Sequence, residues 1–557
     1  MIRKFAALAL ALIPATLIAH TAPPPTPLKP STPPKLLVVI AVDQLSADLF
    51  AEYRAHWTGG MKRLSDGVVF PSGYQSQAAT ETCPGHATIL TGARPARSGI
   101  IANNWIDQTN AREDKGVYCA EDVKLGASSR SADYVPSAVH LLVPTLGDRM
   151  KAANRASRVV SVGGKDRAAI MLGGARTDEI WFLRPTDHAR FETLKGRTAP
   201  PPAAVARANA AIDALLALPA TPYPLSPLCQ SRARPVAIAP TKTVGAGQFA
   251  RDAGDKRAFR GSPESDAATF DLAAGLIADL KLGQGKATDL IAIGLSATDV
   301  VGHAYGTQGS EMCVQLEQLD KRLGALFAQL DAAGIDYAVA LTADHGGHDT
   351  TERNVENGIP AASRVDPLLG SDVVGAGIAR ELGISRTVLL GSETSGDVWL
   401  DATLTPAQRS TVLARAAEVY RARPQVEAVF TASEIEAAAR PQGPPETWSL
   451  IARVKASYFR GRSGDFYVVL KPRVMPIPAT VAARSTYIAT HGSVWDYDRR
   501  VPMLFWRKGL AGFEQPNSVE TVDIAPTLAA LIGLPMPQIE IDGRCLDLIA
   551  GPVSSCR

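Results

Sequence analysis

Thr82 stands in the run Ala79-Thr80-Glu81-Thr82-Cys83-Pro84-Gly85-His86, where a polar stretch meets an apolar, helically periodic segment. Pro84 is tolerated in a first helical turn because its missing N–H has no partner there. The pattern predicts a helix with Thr82 at its N-terminus. Free N–H groups and the positive end of the dipole make such a terminus a site for anions. A threonine hydroxyl is a weak nucleophile unless its pKa is lowered, which coordination to a metal ion does. Ligand types for such an ion are present. Asp43 closes the apolar run LLVVIAVD, and Asp299 and His303 stand four apart after DLIAIGL. Asp344 and His345 follow YAVALTA, and His491 lies in IATHGSVWDYDRR. Three carboxylates and three imidazoles suit zinc, which takes nitrogen and oxygen donors in tetrahedral sites. Taken singly, an aspartate at a strand end is an ordinary turn residue and a histidine an ordinary core group. The set as a whole points to metal chemistry.

Positioning these residues requires a sheet. Leu36–Val42, Leu290–Leu295 and Asp336–Thr342 are continuous apolar runs of strand length, as expected of parallel strands buried on both faces. In open α/β sheets ligands gather beyond the carboxyl ends of the strands, where Asp43, Asp299 and Asp344 would all emerge. Arg158–Val162 reads as another strand, followed by Gly163-Gly164-Lys165-Asp166-Arg167. Helices are expected at Met61–Leu64, at Tyr134–Val143 continuing through Thr145–Ala153, at Ser265–Leu282, at Glu311–Ala333 and at Thr521–Ile532. Leu316, Leu319, Leu323 and Phe327 form a core-facing stripe on the fourth of these. The Ala- and Pro-rich stretch 200–243 reads as an insertion over the surface. Residues 351–485 alternate short strands with a helix that starts at Thr405-Pro406 and reads as a small α+β lobe. Val501–Trp506 reads as a strand returning to the main sheet. The expected fold is therefore α/β: a core of residues 35–350 and 486–557 around a mostly parallel sheet flanked by helices, with the lobe inserted.

The ordered motifs Asp43, T-x-T-C-P-G-H, G-I-I-x-N, K-D-R, D-x-x-x-H, D-H-G-G and T-H-G-S resemble the alkaline phosphatase superfamily. Within it they are most similar to bacterial alkaline phosphatases with a single threonine nucleophile, relatives of the nucleotide pyrophosphatase/phosphodiesterases. The resemblance runs from about Lys35 to the C-terminus. It implies two Zn²⁺ per chain, one held by Asp299, His303 and His491, the other by Asp43, Asp344 and His345 with Thr82 as a further ligand. It also implies a covalent phospho-threonine on Thr82, with Asn103, Lys165, Arg167 and the N–H after Thr82 on the phosphoryl oxygens. A phosphate monoester carries one more charged oxygen than a diester, so the extra cations Lys165 and Arg167 favour monoesters. A phosphodiesterase or nucleotide pyrophosphatase on the same two-zinc scaffold is the alternative. A non-catalytic zinc protein is a third reading, opposed by the intact nucleophile and clamp. His86, one turn after Thr82, and His348 are expected to support the site without binding metal. A further Ca²⁺ or Mg²⁺ site is not assigned.

The chain has 557 residues and a formal net charge of only +3, which supplies no electrostatic case for nucleic-acid binding. Met1–Ala22 has the form of a secretory signal, with Arg3 and Lys4 before an apolar stretch too short and Pro-broken to span a membrane. A Pro-rich tether, residues 23–34, follows, and the expected destination is the periplasm or the exterior, with no membrane anchor after signal removal. Export permits disulfides, and the six cysteines allow 15 pairings. Cys545 with Cys556 would close a short loop; Cys83 with Cys119 and Cys229 with Cys313 complete the expected set. Cys83 does not begin the C-x-P-x-R motif of sulfatases, because Pro84 follows it directly. Small-molecule phosphate monoesters are the expected partners, and a monomer the expected state.

Overall fold

The computed structural model describes residues 32–128, 134–184, 189–197, 199–247, 249–391, 394–551 and 554–556. The expected signal segment and the tether up to residue 31 lie outside them. Leu36–Val42 (β1) is buried at every position, as its unbroken apolar sequence demands. Alternate side chains enter two separate cores. Leu36, Val38, Ile40 and Val42 join the cluster on one face, and Leu37, Val39 and Ala41 the cluster on the other.

Nine further strands complete the sheet: β2 Val68–Tyr74, β3 Val159–Gly163, β4 Glu179–Leu183, β5 Phe191–Glu192, β6 Asp289–Leu295, β7 Tyr337–Thr342, β8 Arg500–Arg507, β9 Phe513–Glu514 and β10 Val519–Glu520. Their order is β9-β2-β8-β7-β1-β6-β3-β4-β5, with β10 also paired to β2. The central run β7-β1-β6-β3-β4 is parallel throughout. β8 runs antiparallel to both β7 and β2. Two antiparallel steps restore direction, so β2 points the same way as β1. The carboxyl ends of β1, β2, β3, β6 and β7 and the amino end of β8 therefore share one edge.

Six helices matter below: α1 Thr82–Thr91, α2 Asp166–Gly173, α3 Ala203–Leu216, α4 Pro263–Asp279, α5 Ala297–Tyr305 and α6 Ser310–Ala332. Two expectations are corrected. Tyr134–Val143 is not helical; Asp122 N–H donates to the Val135 carbonyl at 2.8 Å and Glu121 bridges Pro136. Proline at 136 and 144 removes two backbone donors, and the helix starts only at Leu146, capped by Thr145. The stretch 200–243 is not merely a surface insertion either. Its α3 buries Ala204, Val205, Ala208 and Ile212 in the core cluster that also holds α4.

A second, four-stranded sheet comprises Leu389–Leu390, Gly396–Leu400, Phe466–Leu470 and Val426–Thr431 in that order. The helix Pro406–Arg421 starts in a capping box made by Thr405 and Gln408, and it packs Val412, Ala416 and Tyr420 into an apolar cluster of its own with Phe466 and Val468.

All three expected disulfides are formed, with Cα–Cα separations of 6.5 Å for Cys83–Cys119, 5.3 Å for Cys229–Cys313 and 5.7 Å for Cys545–Cys556. Cys229–Cys313 ties the short helix Pro227–Ser231 to α6 across 84 residues of chain. Replacing both cysteines by alanine should cost about 2–5 kcal/mol by freeing that loop in the unfolded chain. Chemical denaturation should show an earlier midpoint; an unchanged midpoint would mean that the surrounding core holds α6 without the bond.

Candidate active site

Asp43 directly follows β1, and its N–H continues the ladder by donating to Leu295 at 2.9 Å. Asp344 follows β7, and Asp299 lies in the first turn of α5 after β6. All three carboxylates are essentially without solvent exposure. His345 brings Nε2 to 3.2 Å from Asp43 Oδ1 and 3.4 Å from Asp344 Oδ2. Asp299 Oδ1 lies 3.3 Å from His303 Nε2 and 3.2 Å from His491 Nε2. The structure thus brings together all six expected ligands, and the His345 and His491 rings stack with centroids 3.5 Å apart where the two groups meet.

The tautomers follow from the backbone. Nδ1 of His303 faces the Ala489 carbonyl at 2.7 Å, that of His345 the Gly346 carbonyl at 2.9 Å, and that of His491 the Thr80 carbonyl at 2.8 Å. A carbonyl only accepts, so each Nδ1 carries the hydrogen, which leaves Nε2 as the ligand atom once the ring is neutral. Asp43 Oδ1, Asp299 Oδ1, Asp344 Oδ2 and His345 Nε2 are buried and take no hydrogen bond. Leaving such atoms unpaired is costly, and a cation would satisfy them. The donor chemistry and these orphaned atoms fit divalent metal, with oxygen and nitrogen ligands in each group.

The charges bear on one another strongly. Burial, reinforced by Asp299 and Asp344, pushes the Asp43 carboxyl up. Asp299 is held well below the usual range because His303 and Lys165 outweigh its burial. For His345, burial opposes the charge but Asp344 and Asp43 outweigh it and lift the imidazole to about 9. Burial and the neighbouring His345 push His491 down to about 3. Lys165 Nζ donates to both Asp43 Oδ2 and Asp299 Oδ2 at 2.5 Å. Its ammonium is thereby aimed at one carboxylate from each ligand group.

Thr82 is the first residue of α1 and is fully buried. Its Oγ1 accepts from the Arg167 guanidinium at 3.3 Å. Asn103 stands beside it: Asn103 Oδ1 accepts the Cys83 N–H at 2.8 Å, and Asn103 N–H donates to Glu81 Oε2 at 2.7 Å. The N–H after Thr82, expected to face phosphoryl oxygens, is therefore occupied. It orients the Asn103 amide instead, with Nδ2 as the remaining donor.

Two supporting residues carried no assigned role in the sequence, and a third is placed as expected. Gln44 adopts a left-handed φ of 67°, which turns its N–H toward Asp344 Oδ1 at 3.1 Å. Its side chain lies where any Cβ on Gly302 or Gly347 would collide with it. Asp498 accepts from the N–H and hydroxyl of Ser493 at 2.9 and 2.6 Å, which ties down the loop that carries His491. The only prior signal for Gln44 was its place beside Asp43, and Asp498 had none. His86 supports the site from behind, with Nδ1 2.9 Å from the Thr82 carbonyl and 3.0 Å from Asp344 Oδ2. His348 packs its ring 4.6 Å from that of Tyr497, outside both ligand groups.

The sequence matches the family described as type I phosphodiesterase / nucleotide pyrophosphatase over residues 37–493. It is 56% identical to the alkaline phosphatase PhoK of a Sphingomonas species over 529 residues, covering 94% of this chain and 93% of that protein. The chain belongs to this family and is an alkaline phosphatase. Alkaline phosphatase PhoD of Zymomonas mobilis is 47% identical, with 94% of this chain and 89% of that protein covered. Among solved structures, wild-type alkaline phosphatase PafA superposes with a TM-score of 0.80 at 24% identity, covering 94% of this chain and all of that one. That likeness concerns the fold: the large mixed sheet flanked by helices. Among the described residues, no helix is long and apolar enough to cross a membrane.

Gly85 fixes how closely α1, which carries Thr82, packs against the sheet of this phosphatase. A Cβ there would lie 2.0 Å from the Asp344 carbonyl oxygen, so α1 rests directly on the end of β7. Gly85→Ala must push Thr82 away from the ligand groups and should lower kcat/KM on the order of a hundredfold. Near-normal turnover in a folded Gly85→Ala variant would show that this contact does not set the place of Thr82.

Proposed function

We propose that this phosphatase is an exported, two-zinc phosphomonoesterase that works through a covalent phospho-threonine on Thr82. The observation that carries the reading is Thr82 Oγ1 under the Arg167 guanidinium, beside two groups of buried carboxylate and imidazole donors with orphaned atoms. Asp43, Asp344 and His345, with Thr82, would hold one zinc; Asp299, His303 and His491 would hold the other. Bound there, the two ions supply Lewis acidity that lowers the pKa of a coordinated oxygen and neutralises charge on a departing one.

The chain's own groups supply the rest. Thr82 Oγ, its proton given up to solvent, forms the new O–P bond as the ester O–P bond breaks, and the departing alkoxide takes a proton from solvent to leave as the alcohol. Water then attacks the phosphorus and gives up a proton, the Thr82 Oγ–P bond breaks, Thr82 Oγ regains a proton, and inorganic phosphate leaves. Asn103 Nδ2, Lys165 and Arg167 hold the non-bridging oxygens while charge redistributes among them, electrostatic positioning being the main source of catalysis in phosphoryl transfer. Lys165 serves from a buried position, where Asp299 and Asp43 outweigh the burial that opposes its charge and keep its pKa raised. The lobe built on the four-stranded sheet shapes access for the leaving group. Export rests on the Met1–Ala22 segment, and the three disulfides agree with an oxidising compartment.

Two experiments test the reading. Thr82→Ala should abolish turnover while the protein keeps most of its zinc; full activity in that variant removes Thr82 as nucleophile. Lys165→Ala combined with Arg167→Ala should depress hydrolysis of p-nitrophenyl phosphate far more than of bis-p-nitrophenyl phosphate, by at least about a hundredfold in relative kcat/KM if two charged hydrogen bonds are lost. Equal losses on both substrates would refute their role as a clamp on the third oxygen.

A further inference from the structure

Asp166 and Arg167 are the first two residues of α2, and consecutive helical side chains do not face each other. The two therefore take different partners, and Asp166 is saturated by tyrosines. Tyr118 donates its hydroxyl to Asp166 Oδ1 at 2.8 Å, and Tyr134 donates to Oδ2 at 2.8 Å. Asp166 is fully buried and Tyr134 only 2% exposed. The two rings meet edge to face with centroids 6.0 Å apart. A carboxylate only accepts, so both tyrosine hydrogens point at it. Held at both oxygens, Asp166 pins the first turn of α2, from which Arg167 projects. Among the described residues, Asp166 and Arg167 form no ion pair, and Arg167 turns instead to Thr82 Oγ1.

Tyr118 is itself fastened to the nucleophile. It ends the short hairpin that pairs Asn104–Ile106 with Gly116–Tyr118. Glu121, buried and paired with Arg112, accepts the Tyr118 N–H at 2.9 Å. The next residue, Cys119, donates its N–H to the Asn103 carbonyl at 3.0 Å and is disulfide-bonded to Cys83, the neighbour of Thr82. One covalent path of four residues, Thr82-Cys83-Cys119-Tyr118, thus links Thr82 to the hydroxyl that holds Asp166, the residue before Arg167.

We propose that Asp166, Tyr118 and Tyr134 are positioning residues that hold Arg167 over Thr82, and that the Cys83–Cys119 bond locks this device to the nucleophile helix. The preference for monoesters over diesters then depends on side chains that never touch substrate. This inference rests on Arg167 binding a phosphoryl oxygen, as set out under Proposed function.

The test uses the zinc-loaded full chain carrying Tyr118→Phe, Asp166→Asn or Arg167→Ala, and Tyr118→Phe combined with Arg167→Ala. For each, kcat/KM is measured on p-nitrophenyl phosphate and bis-p-nitrophenyl phosphate, together with zinc content. Tyr118→Phe keeps the ring and removes only the hydroxyl. It should lower monoester kcat/KM on the order of tenfold, change the diester less than about threefold, and leave zinc content unaltered. In the Arg167→Ala background the same substitution should cost nothing further, because its effect passes through the guanidinium. Asp166→Asn should lose selectivity in the same sense; should it fail to fold, Tyr118→Phe still decides. Equal losses on both substrates from Tyr118→Phe, or an undiminished loss in the Arg167→Ala background, would overturn the inference. Equal losses from Arg167→Ala alone would overturn the clamp reading beneath it, and a selective Arg167→Ala loss with an indifferent Tyr118→Phe would overturn this inference only.

Discussion

Three carboxylates, Asp43, Asp299 and Asp344, are buried within one small volume, and their mutual repulsion governs the site. Like charges in a low-dielectric interior cannot coexist without compensation. The chain supplies part of it through the Lys165 ammonium between Asp43 and Asp299 and through imidazoles on each carboxylate. The oxygens that face these imidazoles take no hydrogen bond, so the compensation is incomplete on all three. Such an arrangement persists only because a large folded core holds it, and divalent cations are the natural complement. The stability of the fold and the demand for metal are opposite sides of the same electrostatic problem.

Sheet topology makes the crowding possible. Parallel strands deliver Asp43, Asp344 and, one turn into α5, Asp299 to a common edge. The double antiparallel step through β8 brings two more segments there, the loop bearing His491 and the end of β2 that leads to Thr82. Packing then works at the level of single atoms. Gly85 lets α1 rest on the Asp344 backbone, and Gly302 and Gly347 leave room for the Gln44 side chain. Backbone carbonyls of Thr80, Gly346 and Ala489 fix the imidazole tautomers. Few of these positioning contacts involve groups that could themselves react, which is how a rigid scaffold holds reactive groups ready at low reorganisation cost.

Much of this was legible in the chain. β1, β6 and β7 announce themselves because burial on both faces permits only apolar residues, and the acids at their ends stand out against those runs. The first-turn Pro84 marked the start of α1, and the short span between Cys545 and Cys556 marked that disulfide. Other features were hidden for definite reasons. The stretch 134–143 has helix-compatible residues, but Val135 and Pro136 are drawn into bridges with Asp122 and Glu121, distant contacts that override local propensity. α3 was masked by the Ala- and Pro-rich composition around it, although its Val205, Ala208 and Ile212 spacing carries a buried face. The use of the Cys83 N–H by Asn103, and the roles of Gln44, Asp498, Tyr118 and Tyr134, depend on three-dimensional juxtaposition alone. No periodicity or motif spacing encodes a hydroxyl that meets a carboxylate 48 residues away.

The central claim is that the two ligand groups hold two zinc ions with Thr82 at one of them. Crystals of the zinc-loaded protein, measured on both sides of the zinc absorption edge, test it most directly. Two anomalous peaks are expected. One should be bonded to Asp43, Asp344, His345 and Thr82 Oγ, the other to Asp299, His303 and His491. A single peak, or peaks that leave Thr82 without a metal contact, would contradict the account.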